Sequence, residues 1–298
     1  MNSLSMALDP FSGKTAGRAP QTIRDSTSEE DIEAKTKIEK NLTIFVTHWE
    51  DMLDARVHSA HDQERYIETH FSMLEFEVLK PAGIQLFYDT LVKKVHELRY
   101  TLPPYSSMMK EQLITRLIQE SYHAGHNDFF IDFGQEKDTN SFGKSLKGME
   151  GNILSIGVMG DKFGSVFKNA AYVNANIQGK GLGVGYDSYR SLFSVIDGGS
   201  FFGNSAKEST FHCKTVQPFC GYDATDCAFY IEDRAEHFFG AYATRSKFIL
   251  KGNVGLQAGS GSYGCTFFAS NADVIQQIKE DLGIWGQYVR RNGVYQLK

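Results

Sequence analysis

Between Ile38 and Leu98, apolar residues recur at alternating steps of three and four. Ile38, Leu42, Phe45, Trp49 and Met52 form one stripe, and Ile67, Phe71, Leu74 and Val78 form another. Ile84, Phe87, Leu91, Val95 and Leu98 form a third. This is the spacing of one buried face of a helix. Thr27 or Ser28, followed by Glu30 and Asp31, supplies a start signal, and Pro103 and Pro104 supply a stop. Met109, Leu113, Leu117 and Ile118 predict a last helix that ends near Gly125. Residues 28–126 therefore read as a helical domain of four or so helices. Residues 1–27 mix Gly, Pro, Ser, Thr and scattered charges without a period and read as a disordered or partner-ordered tail.

The period changes between Asn127 and Asp132, where Phe129, Phe130, Ile131 and Phe133 crowd together. A β-like run follows at Ile153 to Val158. From Gly185 the chain repeats. Phe193, Phe211, Phe229, Phe248 and Phe267 are separated by 18, 18, 19 and 19 residues. Eight residues before each stands Gly185, Gly203, Gly221, Gly240 or Gly259. Small residues occupy the third and sixth places after each glycine, so the repeat reads G-x-x-[AS]-x-x-[SC]-x-F. Gly164, Ala170 and Tyr172 fit an earlier coil, 21 residues before Gly185 and carrying a small insertion. After Ala269 the repeat stops, and Asp273 can cap a helix running through Val274, Ile275, Ile278, Leu282, Ile284 and Trp285.

A period of 18–19 is too short for a pair of helices. It suits one coil of a parallel β-helix, whose short strands stack on their counterparts in the next coil. In Phe229-Tyr230-Ile231 and its equivalents the first and third residues share a face. Pointed inward, they make a column of phenylalanines beside a column of mostly aliphatic residues. A left-handed hexapeptide helix is disfavoured, because coils of 19 break the required multiple of six. The expected fold is α+β in two parts: an N-terminal helical bundle, then a parallel β-helix (a solenoid, right-handed by preference) over residues 127–271. Residues 272–298 form a capping helix and a tail. The cap covers the open end of the stack, as repeat architectures require.

Composition narrows this picture only a little. The chain of 298 residues is 41% hydrophobic and 22% charged, with a formal net charge of −5. A small acidic excess speaks against a nucleic-acid partner. No apolar run approaches membrane-spanning length and the first residues lack a secretory pattern, so a cytoplasmic location without membrane attachment is expected. Of the four cysteines, Cys227 and Cys265 fall in the small-residue column and Cys213 in the inner aliphatic column. Cys220, beside Gly221, also reads as core. Small buried thiols account for them, and a metal or iron–sulfur centre on Cys213 or Cys220 is the lesser reading. His123 and His126 have a spacing that could share a metal, yet no third ligand follows, and a helix-end role fits better. No metal and no cofactor are expected.

Function should lie on outward positions, because inward ones are committed to packing. The outward column beside the phenylalanines runs Ser194, His212, Tyr230, Ile249 and Phe268. A second aromatic column, two residues before each glycine, holds Phe201, Phe219 and Phe238. Its neighbour holds Phe202 and Phe239, and alternation makes one of these two point out. Exposed aromatics in register should be covered by something: the helical domain, a protein partner or a second copy. The residues expected to form an interaction surface are thus Phe201, Phe219, Phe238, Tyr230, Ile249 and Phe268. Acidic residues gather at Asp223, Asp226, Glu232, Asp233 and Glu236, beside His237. Paired carboxylates could act as general acid and base on a glycan, with Asp223, Asp233 and Glu236 the candidates. They do not recur as a column, and solvated turns explain them better. The expectation is a non-enzymatic scaffold or protein-interaction protein. The alternative is a carbohydrate-active β-helix enzyme, a lyase or hydrolase.

Overall fold

The computed structural model describes residues 29–54, 66, 69, 73–97, 106–133, 142–143, 146–156, 167–180, 183–283, 289–291 and 294–297. The first helices whose bounds lie among the described residues are α1 (Glu29–Asp54), α2 (Pro81–Glu97) and α3 (Ser106–His123). Proline opens α2, a position where its missing N–H costs nothing. Helix α3 ends as the Gly125 signal implies. Gly125 has φ +90°, its N–H bonds Tyr122 O at 2.9 Å, and His126 N–H bonds Ser121 O at 3.1 Å. This pair of bonds closes a helix on a left-handed residue, so His126 serves the helix end through its backbone. The imidazole of His123 lies 3.1 Å from the Gln119 amide.

One expected helical stripe is corrected in its second half, since Tyr66, Thr69 and Met73 are helical and the helix stops there. Residues 74–80 are not helical, and Leu74 and Phe76 are buried two residues apart. The buried amide of Asn41 explains the extended path, because it accepts from Glu77 N–H at 2.7 Å and donates to Glu77 O at 2.9 Å. A side chain on α1 thus pairs with this segment as a neighbouring strand would. The Ile67 and Phe71 part of that stripe, the polar break before it and residues 1–27 lie outside the described residues.

The solenoid strands are β1 (Phe129–Ile131), β2 (Lys147–Ile156), β3 (Ala171–Lys180), β4 (Leu192–Asp197), β5 (Thr210–Val216), β6 (Ala228–Ala235), β7 (Lys247–Leu250), β8 (Asn253–Val254) and β9 (Thr266–Ala269). Apart from β8, which pairs with β6, each strand pairs parallel with the next. Phe193, Phe211, Phe229, Phe248 and Phe267 stand directly opposite one another in register. Their rings are buried and stack at 4.7–5.5 Å, with Phe202 and Phe239 set edge-on against the column. Val195, Cys213, Ile231, Leu250 and Ala269 make the second buried column. The step from 18 to 19 residues is taken up on β6. Thr215 pairs with Arg234 although Cys213 pairs with Ile231, so Glu232–Asp233 form a bulge. Gly252 in the next coil fits against it, because a Cβ there would lie 1.5 Å from Asp233 O.

The glycines of the repeat have two reasons to be there. Gly203 has φ +65°, and a Cβ on it would lie 2.6 Å from Phe229 and 2.9 Å from Phe211. The earlier coil is real, but its register differs from the one expected. Ala171 bridges to Tyr189 and Ala175 pairs with Phe193, which makes it an 18-residue coil with Phe167 at the glycine place. Residue types are exchanged there: phenylalanine sits at the corner (φ +56°) and alanine on the strand. The Phe167 ring enters the column from the corner, 5.5 Å from Phe193. Gly164 lies outside the described residues.

Both ends of the stack are closed by side chains that imitate a missing coil. On the first side, Gln85 of α2 accepts from Asp132 N–H at 2.8 Å and donates to Asp132 O at 3.1 Å. Gln119 of α3 does the same for Lys147, at 3.2 and 2.9 Å. Tyr88 packs edge-on against Phe133 at 5.2 Å, and one continuous core joins helices and solenoid. On the last side lies α4 (Ala272–Asp281), with Val274, Ile275 and Ile278 buried. Its cap is Asn271, whose side chain accepts from Asp273 N–H at 2.8 Å; Asp273 sits in the first turn. Asp281 accepts from Ala258 N–H at 3.0 Å, and Gln277 donates to Gly255 O at 3.0 Å. The final residues, expected as a tail, instead form a hairpin of β10 (Val289–Arg291) and β11 (Val294–Leu297). β11 runs antiparallel to β9. Among the described residues no helix is long and apolar enough to cross a membrane.

Candidate functional site

The corner before each glycine decides which aromatic column faces out. Phe202, Cys220 and Phe239 are buried, whereas Phe201 is 43% exposed and Phe219 and Phe238 are half-buried. Phe201, Phe219 and Phe238 adopt left-handed backbone, with φ of 61°, 69° and 60°. Their N–H groups reach forward to the next coil, bonding Pro218 O, His237 O and Leu256 O at 3.1 Å each. One coil rise separates neighbours, so the rings stack face to face: Phe201 on Phe219 at 5.1 Å and Phe219 on Phe238 at 4.8 Å, within 6° of parallel. The ladder presents ring edges to its surroundings.

It continues around the corner through residues that the repeat alignment does not mark. Tyr222 meets Phe219 edge-on at 5.7 Å, and Tyr242 lies 5.2 Å from Tyr222. Tyr242 is 53% exposed and Leu256 63%. Tyr222 follows its glycine by one place and Tyr242 by two, so they fall in different columns of the alignment. Only the fold brings them together.

Tyr230, Ile249 and Phe268 are also in register with one another, but on the outward face of β6, β7 and β9. They are half-buried, and the chain itself supplies part of the cover. His212 stacks on Tyr230 at 4.4 Å and 5°. Lys247 Nζ lies 6.0 Å from the Tyr230 ring centre and 5.1 Å from that of Phe268, while Gln296 of β11 pairs with Phe268. The six aromatic and aliphatic candidates therefore fall on two surfaces, a corner ladder and a strand face. Helices α2 and α3 meet the solenoid at its β1 end and leave Phe201 exposed.

The carboxylates spread around one coil and its bulge. Asp226 forms a two-point ion pair with Arg245 at 2.8 and 2.5 Å, and the guanidinium holds its pKa below the usual carboxylate range. Glu236 pairs with Arg234 at 2.8 Å and Glu232 with Lys251 at 3.8 Å. Asp223 occupies a left-handed corner (φ 57°), and Asp233 sits in the β6 bulge. The buried stretch Cys227, Phe229 and Ile231 runs between these two.

The [SC] position has a chemical reason that its small size does not convey. At this turn the backbone N–H finds no carbonyl in the next coil, and a side chain takes its place. Val173 N–H bonds Ser191 Oγ, Ser191 N–H bonds Ser209 Oγ, and Cys227 N–H bonds Ser246 Oγ, each at 3.1 Å. Ser209 N–H and Ser246 N–H bond Cys227 Sγ and Cys265 Sγ at 3.4 Å. Each hydroxyl or thiol then donates to the carbonyl two residues back, as Ser209 does to Lys207 O at 2.9 Å. All four cysteines are free and buried. Burial pushes the thiols of Cys213 and Cys227 up to about 12 and raises those of Cys220 and Cys265. Thiolates, the reactive form, are thereby suppressed. No protein-family model matches the chain, and neither a curated protein nor a solved structure matches it.

Proposed function

We propose that the chain is a non-enzymatic interaction protein whose solenoid presents the Phe201–Phe219–Phe238 ladder, with Tyr222, Tyr242 and Leu256 beside it, to a protein partner. One observation carries this reading: Phe201 and Tyr242 stand exposed, and Phe219 and Phe238 half-buried, all four in left-handed backbone. That conformation costs a non-glycine residue about 1–2 kcal/mol, and Asn or Gly would occupy it more readily. Stacking returns about 0.5–1.5 kcal/mol per ring pair. The phenylalanines thus bring little net local stability to the corner while leaving an apolar ladder in water.

The carbohydrate-active alternative has weaker support. A glycan-binding platform uses ring faces, and here each inner face is taken by the next ring. Glu236 and Asp226 are engaged with arginines, and Asp223 and Asp233 are not adjacent. The deciding experiment compares the full chain with its Phe219→Asn variant. The expected result is an unchanged fold, with stability lowered by no more than about 3 kcal/mol because three ring pairs are lost against the strain relieved, and loss of a partner captured stoichiometrically by the parent. Identical binding by parent and variant counts against the ladder. Glycan cleavage that disappears in Asp233→Ala and Glu236→Ala would replace the proposal with the alternative.

A further inference from the structure

The aromatic ladder runs into a histidine at its far end. Each ladder amide bonds forward to a carbonyl of the next coil, and for Phe219 that carbonyl belongs to His237. The side chain of His237 holds the corner that follows, since its Nδ1 accepts from Leu256 N–H at 3.0 Å. Leu256 O in turn accepts from Phe238 N–H at 3.1 Å. Gly255 makes room for the ring, because a Cβ there would stand 2.9 Å from Nδ1 and 2.7 Å from His237 N. One residue thus ties Leu256, exposed beside the ladder, to the last two phenylalanines.

A ring nitrogen that accepts from a backbone N–H carries no proton. The bond therefore requires the neutral imidazole with its proton on Nε2. Protonation makes both nitrogens donors, sets Nδ1–H against Leu256 N–H and places a cation beside apolar rings. Few other charges are described around this corner. On the same coil Glu236 pairs with Arg234 at 2.8 Å and Glu232 with Lys251 at 3.8 Å, and Asp233 sits in the β6 bulge. The coil before brings Gln217 and Pro218, and the coil after brings Gly255, Leu256 and Gln257, all uncharged. Helix α4 brings Gln277, which donates to Gly255 O at 3.0 Å, and Asp281, which accepts from Ala258 N–H at 3.0 Å. Burial raises the Asp281 pKa, with Glu280 adding to it, so protonation there favours the folded chain and opposes opening in acid.

Resting on the ladder as the binding surface, we propose that His237 is a pH-sensitive latch of that surface. Neutral, it fixes Leu256 against Phe238 for the partner; protonated, it frees the Leu256 end and lowers affinity. The latch is closed above the range in which histidines take up a proton and opens as the pH falls through it, between about pH 8 and 5.

The test uses the full chain at the two ends of that range. Long-range proton–nitrogen correlation at the upper end should find the His237 proton on Nε2. Hydrogen exchange at Leu256, normalised to the intrinsic rate at each pH, should lose protection by about three- to tenfold at the lower end. His237→Asn sets an amide oxygen where Nδ1 stands and cannot titrate, so its protection should stay constant. His237→Phe, with a ring but no acceptor, should show the low protection at both ends. Partner captured through the ladder at the upper pH should be shed at the lower pH by the parent and kept by His237→Asn. A proton on Nδ1, or an equal loss of protection in the parent and His237→Asn, would overturn the latch. Because exchange needs no partner, the latch can fail while Phe219→Asn still abolishes capture, and can hold while that capture persists.

Discussion

At the scale of single residues, the [SC] ladder carries the sharpest stability prediction. Ser209 accepts from a buried N–H and donates to a carbonyl. Ser209→Ala leaves the Ser191 amide unsatisfied and should cost about 1–3 kcal/mol in urea denaturation. Ser209→Cys should cost much less, because cysteine already fills this role at Cys227 and Cys265. The thiols predict a pH effect. Their folded pKa values lie above the ordinary thiol range, so stability is full below that range and is lost as the pH climbs toward about 12. Cys213 and Cys227 should each remove about 1.4 kcal/mol per pH unit over that window. Alkaline denaturation curves of Cys227→Ser against the parent would measure one share. The exchange at Phe167 and Ala175 makes a third prediction. Phe167→Gly should cost about 3–5 kcal/mol through the cavity it leaves, and Ala175→Phe should clash with the Phe167 ring. The double variant restores the repeat and should be more stable than the two single effects sum to.

At the scale of elements, each closing helix acts through a few side chains. Gln85 and Gln119 each serve both polar groups of one residue on the solenoid's first side. Replacing Gln119 by leucine should cost about 1 kcal/mol and speed hydrogen exchange at Lys147. Asn271→Ala should cost a similar amount as a lost helix cap. The coil register was legible because stacking brings like positions into contact, so Phe193 through Phe267 had to recur. Positions serving more than one rule were harder. Phe167 and Ala175 keep the packing while trading places, which a search for matching letters passes over. Leu74 and Val78 fit a helical stripe, and Asn41, more than 30 residues away, makes the path extended. The closing hairpin carries a weak pattern of its own, since β11 is specified by the free edge of β9. The ladder's phenylalanines were visible as a column, but Tyr222 and Tyr242 meet across unlike positions.

For the whole molecule, the shared core is the governing fact. Phe133 bridges from Tyr88 to Phe142, and Phe142 to Phe167, so the packing runs from the helices into the Phe193 column without a break. The helical signal and the solenoid signal should therefore be lost together. Helical ellipticity and tyrosine fluorescence are expected to give one coincident thermal transition; two separate midpoints would show two independently folding units. The hairpin has a consequence of another kind. A stack of near-identical coils is a crystal in one dimension, and its last strand is a growth face onto which any matching strand can add. By returning antiparallel along β9 and offering Arg290 and Arg291 at the new boundary, the chain poisons that face. Chains cut after Asp281 should nucleate joining through β9, so proteolysis at this hairpin would set the solubility of the protein.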